Sequence, residues 1–532
     1  MAAYVERLKD LFGGVGVNSR NFSLSLISDI IQTKVQKFRI FTVSHAQPES
    51  LSLTYFSLAL LLSVAVKAFD ARAEIHYQVN VDNKLSELSV QACFGDYVPS
   101  VLVAESLDAT VALIDVRTES GEAIKPSGVI SMRDVAPGSC LSYRVDISRG
   151  VQRHDMTGPK VYKSGGATGV SNGLWFWRPK FFPQSEQFIV EFSLPTGISV
   201  ATPWEQLHEA AYKIQPTPYE WPSWIVLGKF FDETLNIGDT KVRLAILDGT
   251  PKVNSIELFK WLENETNIVQ SVLGTFPHPN VQILVFPNAR AREPVPVAYV
   301  TRGGSPTLHM MINQRRPIEN FYSDWTATHE LAHLYFPFIS PDDAWLYEGF
   351  ASYYQYVVRA RSGLLTPEEA WTNLLYGFRR GEREASARDE SLSDAITGMY
   401  RSGPFMRVYW TGAAILLMAD VELRHATNGS WSLDRVVQAY NECCMNGLQP
   451  SSAEKLLAKF DELVGFPIFT PLMQRFINSK QFPDLSQVLR DLGVTTDGHS
   501  VVLSVDASKR KIRDEIMLGD NQQSASVIKY EK

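Results

Sequence analysis

The sequence predicts a multidomain α+β protein: a β-sandwich first, a mixed sheet-and-helix lobe next, a helical bundle last. Three observations carry this. At 532 residues the chain is longer than one ordinary hydrophobic core organises. From Glu74 to about Thr217, short alternating runs separated by Gly and Pro show the period-two pattern of half-buried strands. Beyond Ala344 the apolar residues recur at helical spacing behind capping residues. With 45% hydrophobic and 20% charged residues, the composition excludes wholesale disorder.

Taken in order, residues 1–50 are an N-terminal extension and 51–73 an export signal or membrane anchor. Leu51 to Phe69 is mostly apolar, follows Lys34, Lys37 and Arg39, and precedes Ala71-Arg72-Ala73, which reads as a cleavage site before Glu74. Lys67 shortens the run below a comfortable bilayer span, yet residues 51–69 could still tether the protein. An exported protein, periplasmic or extracellular, is expected. Residues 1–73 carry a net charge of +3 and the remainder −10. No basic stripe appears, which argues against nucleic acid as a partner.

Residues 74–217 form the predicted sandwich, with Ile75–Val81 and Leu141–Ile147 as its clearest strands. Cys93 and Cys140 lie in strand-like runs there and are expected to pair after export. Cys443 and Cys444, adjacent on a predicted helix, read as core thiols. Gly165–Val170 looks like a phosphate loop but lacks the Lys-Ser/Thr ending, so it reads as a surface loop. Residues 218–337 mix strands (Trp224–Leu227, Val242–Leu247, Val281–Phe286) with a helix over Val253–Leu273. Residues 338–482 are helical, with Thr366-Pro367-Glu368-Glu369 as N-cap, first-turn proline and capping glutamate, and Gly403-Pro404 opening a helix through about His425. Residues 483–532 return to weak strands and a polar tail.

The chemistry concentrates at Thr326–Tyr335. His329 and His333 stand four residues apart, one turn along the same helix face, so both imidazoles can reach one ion. Glu330, beside the first, is placed for the open position of a zinc site. The flanking residues are uncharged, as a buried helix requires, and Pro337 is expected to stop it. Fourteen residues separate His333 from Glu348, a lone acid in an apolar helix, costly to bury unless it meets a cation. A helix returning antiparallel would bring it to the same Zn2+ ion as third ligand. Ser352, one turn on, could support it.

These residues, with Trp345–Tyr356, resemble the gluzincin zinc metallopeptidases, in particular the aminopeptidase N and glycyl aminopeptidase families. Ser362–Glu369 and Tyr409–Ala414 are closer to the glycyl aminopeptidase side, and the resemblance spans roughly Glu74 to Phe482. It implies a thermolysin-like zinc catalytic domain, one Zn2+, a peptide or aminoacyl substrate, and hydrolysis by a metal-activated water with Glu330 as general base. Tyr409 matches the position of the family's oxyanion donor, although Thr411 replaces the accompanying lysine. The spacing from His333 to Glu348 is shorter than in aminopeptidase N, which reads as a trimmed loop. Gly303 and Gly304 occupy the place of a glycine-rich substrate-binding strand, and as glycines would let a peptide backbone approach. The acid that grips a free amino group in those families is absent from Val297 to Arg316. The resemblance makes aminopeptidase-like action the first expectation, and the missing acid counts against a strict aminopeptidase. The alternatives are a catalytically silent peptide-binding protein, or a zinc endopeptidase or amidase.

Overall fold

The structure, a computed structural model, describes residues 74–151, 160–181, 187–249, 253–445, 451–496 and 501–519. The expected export segment and the polar C-terminal end lie outside these. No helix among the described residues is long and apolar enough to cross a membrane.

The N-terminal part is built on a seven-stranded mixed sheet. At its centre β1 (Glu74–Val81) pairs antiparallel with β2 (Glu87–Phe94) and parallel with Gln187–Ser193. β2 continues to β3 (Cys140–Asp146), in a register that sets Cys93 opposite Cys140, and the two form the expected disulfide. A four-stranded and a three-stranded sheet complete this part. One core takes Tyr77, Val90 and Tyr143 from the large sheet, Leu102 from the three-stranded sheet, and Val170, Ile225 and Leu227 from the four-stranded one.

That last sheet contains β4 (Ala167–Ser171), whose turn with Val161–Ser164 is made by Gly165-Gly166, and β5 (Trp224–Gly228). Strand β5 was expected in the following lobe. It pairs with β4 instead, and every one of its residues is buried. The alternation of a strand explains how. Ile225 and Leu227 enter the sandwich core, whereas Trp224 and Val226 join Ala245, Leu284 and Phe286 of the next sheet.

That next sheet has five strands: β6 (Phe231–Ile237), β7 (Thr240–Ile246), β8 (Asn280–Pro287), β9 (Val297–Thr301) and β10 (Thr307–Ile312), in the order β6-β7-β8-β10-β9. Helix α1 (Ser255–Leu273) packs on it, started by a capping box between Asn254 and Glu257. The helical part follows: α2 (Thr326–Ala332), α3 (Ala344–Arg361), α4 (Pro367–Ser386), α5 (Leu392–Ser402), α6 (Phe405–Ala426), α7 (Leu433–Cys444), and further helices ending in α8 (Ala507–Leu518). Thr366 and Glu369 form the predicted capping box at the start of α4. One apolar core runs from β7 and β8 through α1 and α2 into α3, α4 and α6. The multidomain α+β class is as expected. Two further local expectations fail: Ala167–Val170 belongs to a buried strand rather than a surface loop, and Cys443 and Cys444 are not free core thiols but are bonded to each other at the end of α7, the first exposed and the second half-buried.

Candidate metal centre

Helix α2 is short, and all seven of its residues are buried. It does not run to Pro337. After Ala332 it tightens into a 3-10 turn over His333–Tyr335, and Phe336 is already extended, the conformation a following proline favours. His329 and His333 still meet on one face, their rings 4.9 Å apart and perpendicular.

Helix α3 delivers Glu348, and a close crossing fixes where. A side chain at Gly412 of α6 would stand 1.8 Å from the Trp345 carbonyl oxygen, and one at Gly349 2.5 Å from the Gly412 backbone. Only glycine at both positions lets the two backbones touch. The crossing holds Glu348, next to Gly349, near Tyr409, one turn before Gly412. Glu348 Oε2 lies 3.3 Å from His329 Nε2 and 3.6 Å from His333 Nε2, and the three donors converge within 4.8 Å of one another. An ion roughly 2.0–2.2 Å from each of three tetrahedral ligands holds them about 3.4 Å apart. The donor set of two imidazoles and a carboxylate fits Zn2+ in spacing and in chemistry.

The electrostatics suit a cation. Burial alone would raise Glu348, but His333 and His329 hold its carboxyl down to about 2. Burial lowers His333 to about 4, while the carboxylates Glu348 and Glu330 outweigh burial at His329 and raise it. Glu330 is buried beside this set, and desolvation pushes it up to about 7 despite the opposing charge of His329. Two acids of one site are thus driven apart, one held as the anion and one poised near neutrality. Tyr409 stacks on His329 at 6.4 Å, and its phenol is raised by burial and then by Glu348, Tyr400 and Glu330.

Two supports escaped the sequence reading. Ser352 is buried, but no hydrogen bond links it to Glu348 among the described residues. Gln355, one turn further along α3, has its Oε1 2.7 Å from His329 Nδ1. With the amide oxygen accepting, the ring carries its proton on Nδ1 and leaves Nε2 free for metal. The spacing was a usable signal, because seven residues are two helical turns and put Gln355 on the face of Glu348. The second support is Arg302, buried beneath the end of α2. Its Nη2 donates to the carbonyls of His333 (2.8 Å) and Phe336 (3.2 Å), capping the turn that carries the second imidazole. Tyr347 stacks on that imidazole at 3.8 Å.

Gly303 and Gly304 are closed against the chain's own backbone. A side chain at Gly303 would stand 2.4 Å from the Trp221 carbonyl, and one at Gly304 2.9 Å from that of Pro203. Gly303 N donates to Pro222 O (3.0 Å), so the backbone these glycines admit is the chain's own. One edge of the sheet is β9, where Val297 and Tyr299 are exposed. His309 is buried in the core, bonded to Thr301 at 3.0 Å and stacked on Tyr299.

Comparison with known proteins agrees with this site. Residues 338–414, which include Glu348 and Tyr409, match the M61 glycyl aminopeptidase family. An aminopeptidase N family protein from Idiomarina loihiensis superposes with a TM-score of 0.61 at 15% identity, over 79% of this chain and 78% of that one. Over that stretch the sequence is similar to this family, and over most of its length the fold is similar to an aminopeptidase N family protein. An M1 zinc metallopeptidase from Deinococcus radiodurans also aligns, with a TM-score of 0.49 and 17% identity over 78% of this chain and 94% of that one. No curated protein sequence matches this chain.

Proposed function

We propose that this protein is a zinc-dependent peptidase that cleaves peptide bonds with water, most simply as an aminopeptidase. The observation carrying this is the convergence of His329, His333 and Glu348 with the buried acid Glu330 beside them. His329, His333 and Glu348 would hold the zinc, whose Lewis acidity would make hydroxide available from water at neutral pH. Glu330, kept near neutrality by burial, takes the proton of that water and passes it to the leaving amine. Tyr409, held protonated by its surroundings, donates to the oxyanion that forms on the carbonyl. Gln355 and Arg302 keep the two imidazoles oriented. The intact Glu330 speaks against a silent peptide-binding protein.

A second reading, hydrolysis of internal or blocked bonds, is favoured by one observation: no acid from Val297 to Arg316 could hold a free amino group. Metal analysis of the purified protein with a panel of blocked and unblocked aminoacyl substrates separates these. Cleavage of unblocked substrates alone supports the aminopeptidase, cleavage of blocked ones the endopeptidase, and cleavage of neither the silent protein. We further propose export, for which the Cys93–Cys140 disulfide is the support, since such bonds persist in oxidising compartments.

A further inference from the structure

From the metal centre a row of aromatic rings leads outwards. Trp325, 42% exposed, meets His329 edge-on at 5.5 Å. Tyr409, stacked on the same imidazole, meets Phe405 edge-on at 6.3 Å, and Phe405 meets Tyr400 at 6.0 Å. The last step follows from the turn between α5 and α6. Gly403 ends α5 in the left-handed conformation (φ 76°), Pro404 begins the next helix, and Tyr400 and Phe405 come side by side. Met399 points into the core, whereas Tyr400 is 72% exposed and makes no hydrogen bond among the described residues. An aromatic ring left in water at the end of a row of rings leading from the metal centre offers contact area that the fold itself does not use.

We propose that Phe405 and Tyr400 form a subsite for one large apolar side chain, aromatic above all, of the peptide substrate. This rests on the peptidase reading above and specifies it. A preference for glycine, which the name of the matched family suggests, is the opposite expectation. A basic side chain, drawn by the ring faces and Glu348, is the competing occupant.

The test uses matched peptides in which a single residue beside the scissile bond is Gly, Leu, Phe or Lys. Wild-type kcat/KM should favour Phe over Gly by at least about tenfold, the discrimination an apolar subsite achieves. Tyr400→Ala should lower that ratio about tenfold, while Tyr400→Phe keeps it. A wild-type ratio near one, a preference for Lys, or a ratio unmoved by Tyr400→Ala overturns the subsite. If no peptide is cleaved, it is the peptidase reading that fails, and calorimetric titration of the same peptides into the protein then decides. Tighter binding of the Phe peptide that weakens in Tyr400→Ala upholds the subsite. Equal binding of the Phe and Gly peptides refutes it.

Discussion

Helix α3 carries a buried charge cluster at each end, and the two differ in how they are balanced. Towards its start Glu348 faces two imidazoles, with Glu330 close by. Towards its end Tyr353 and Tyr354 donate to Asp420 (2.9 Å) and Asp434 (2.5 Å), and Arg361 pairs with Asp434 at 3.0 Å. Arg424 of α6 closes that cluster, reaching Asp420 at 3.0 Å and Glu515 of α8 at 3.4 Å. Here each acid already meets an arginine, so the cluster ties α3, α6, α7 and α8 together and needs nothing from solvent. At the other end two carboxylates face imidazoles instead of arginines, an arrangement that a cation would complete. Buried charge by itself therefore does not mark a functional site. Acids driven apart in ionisation around unmet donors do.

Substitutions at the two ends should separate these roles. The largest effect is expected from Glu330→Gln, which keeps the metal but cuts kcat about 10²–10⁴-fold. Steady-state kinetics with metal analysis checks it, and a variant as active as wild type removes the general base. At the far end Arg424→Met leaves buried acids uncompensated and should cost about 3–5 kcal/mol of stability, read by denaturant unfolding, with zinc affinity unchanged. A shift in zinc affinity there would mean that the two clusters are coupled along α3. Gln355→Ala, which frees the His329 ring, should weaken zinc binding about 10–100-fold by competition titration while unfolding moves little.

The smallest effect concerns Glu265 of α1, fully buried, bonded to Thr328 at 2.7 Å and raised to about 7 by burial. A carboxyl raised on folding binds its proton more tightly in the native state. Its contribution to stability is present at low pH and lost as pH rises from the ordinary carboxylate range through about 7. Glu265→Gln should flatten the stability–pH profile over that window, and an unchanged profile would show that Glu265 stays ionised.

The same comparison shows what the sequence made legible. The metal centre could be read because its parts are local: two imidazoles one turn apart, and a lone acid on the next apolar helix. Gln355 passed unnoticed because an amide on a helix carries no cost that demands a partner, although its spacing from Glu348 was informative. What Gly303 and Gly304 pack against was hidden for a different reason. Their close neighbours are Pro203 and Trp221, some eighty to a hundred residues earlier, and no local pattern records that docking. Strand β5 went to the wrong sheet because a run buried on both faces serves either neighbour equally. The charge cluster at the end of α3 was equally hidden, since it draws on four helices spread from Arg361 to Glu515.

The central claim is that Glu348 completes a three-ligand zinc site with His329 and His333. Zinc titration of wild type and Glu348→Ala against a chromophoric chelator tests it most directly. One tightly held zinc per wild-type chain and none in the variant is the predicted result. A variant that still binds one zinc with wild-type affinity would contradict it.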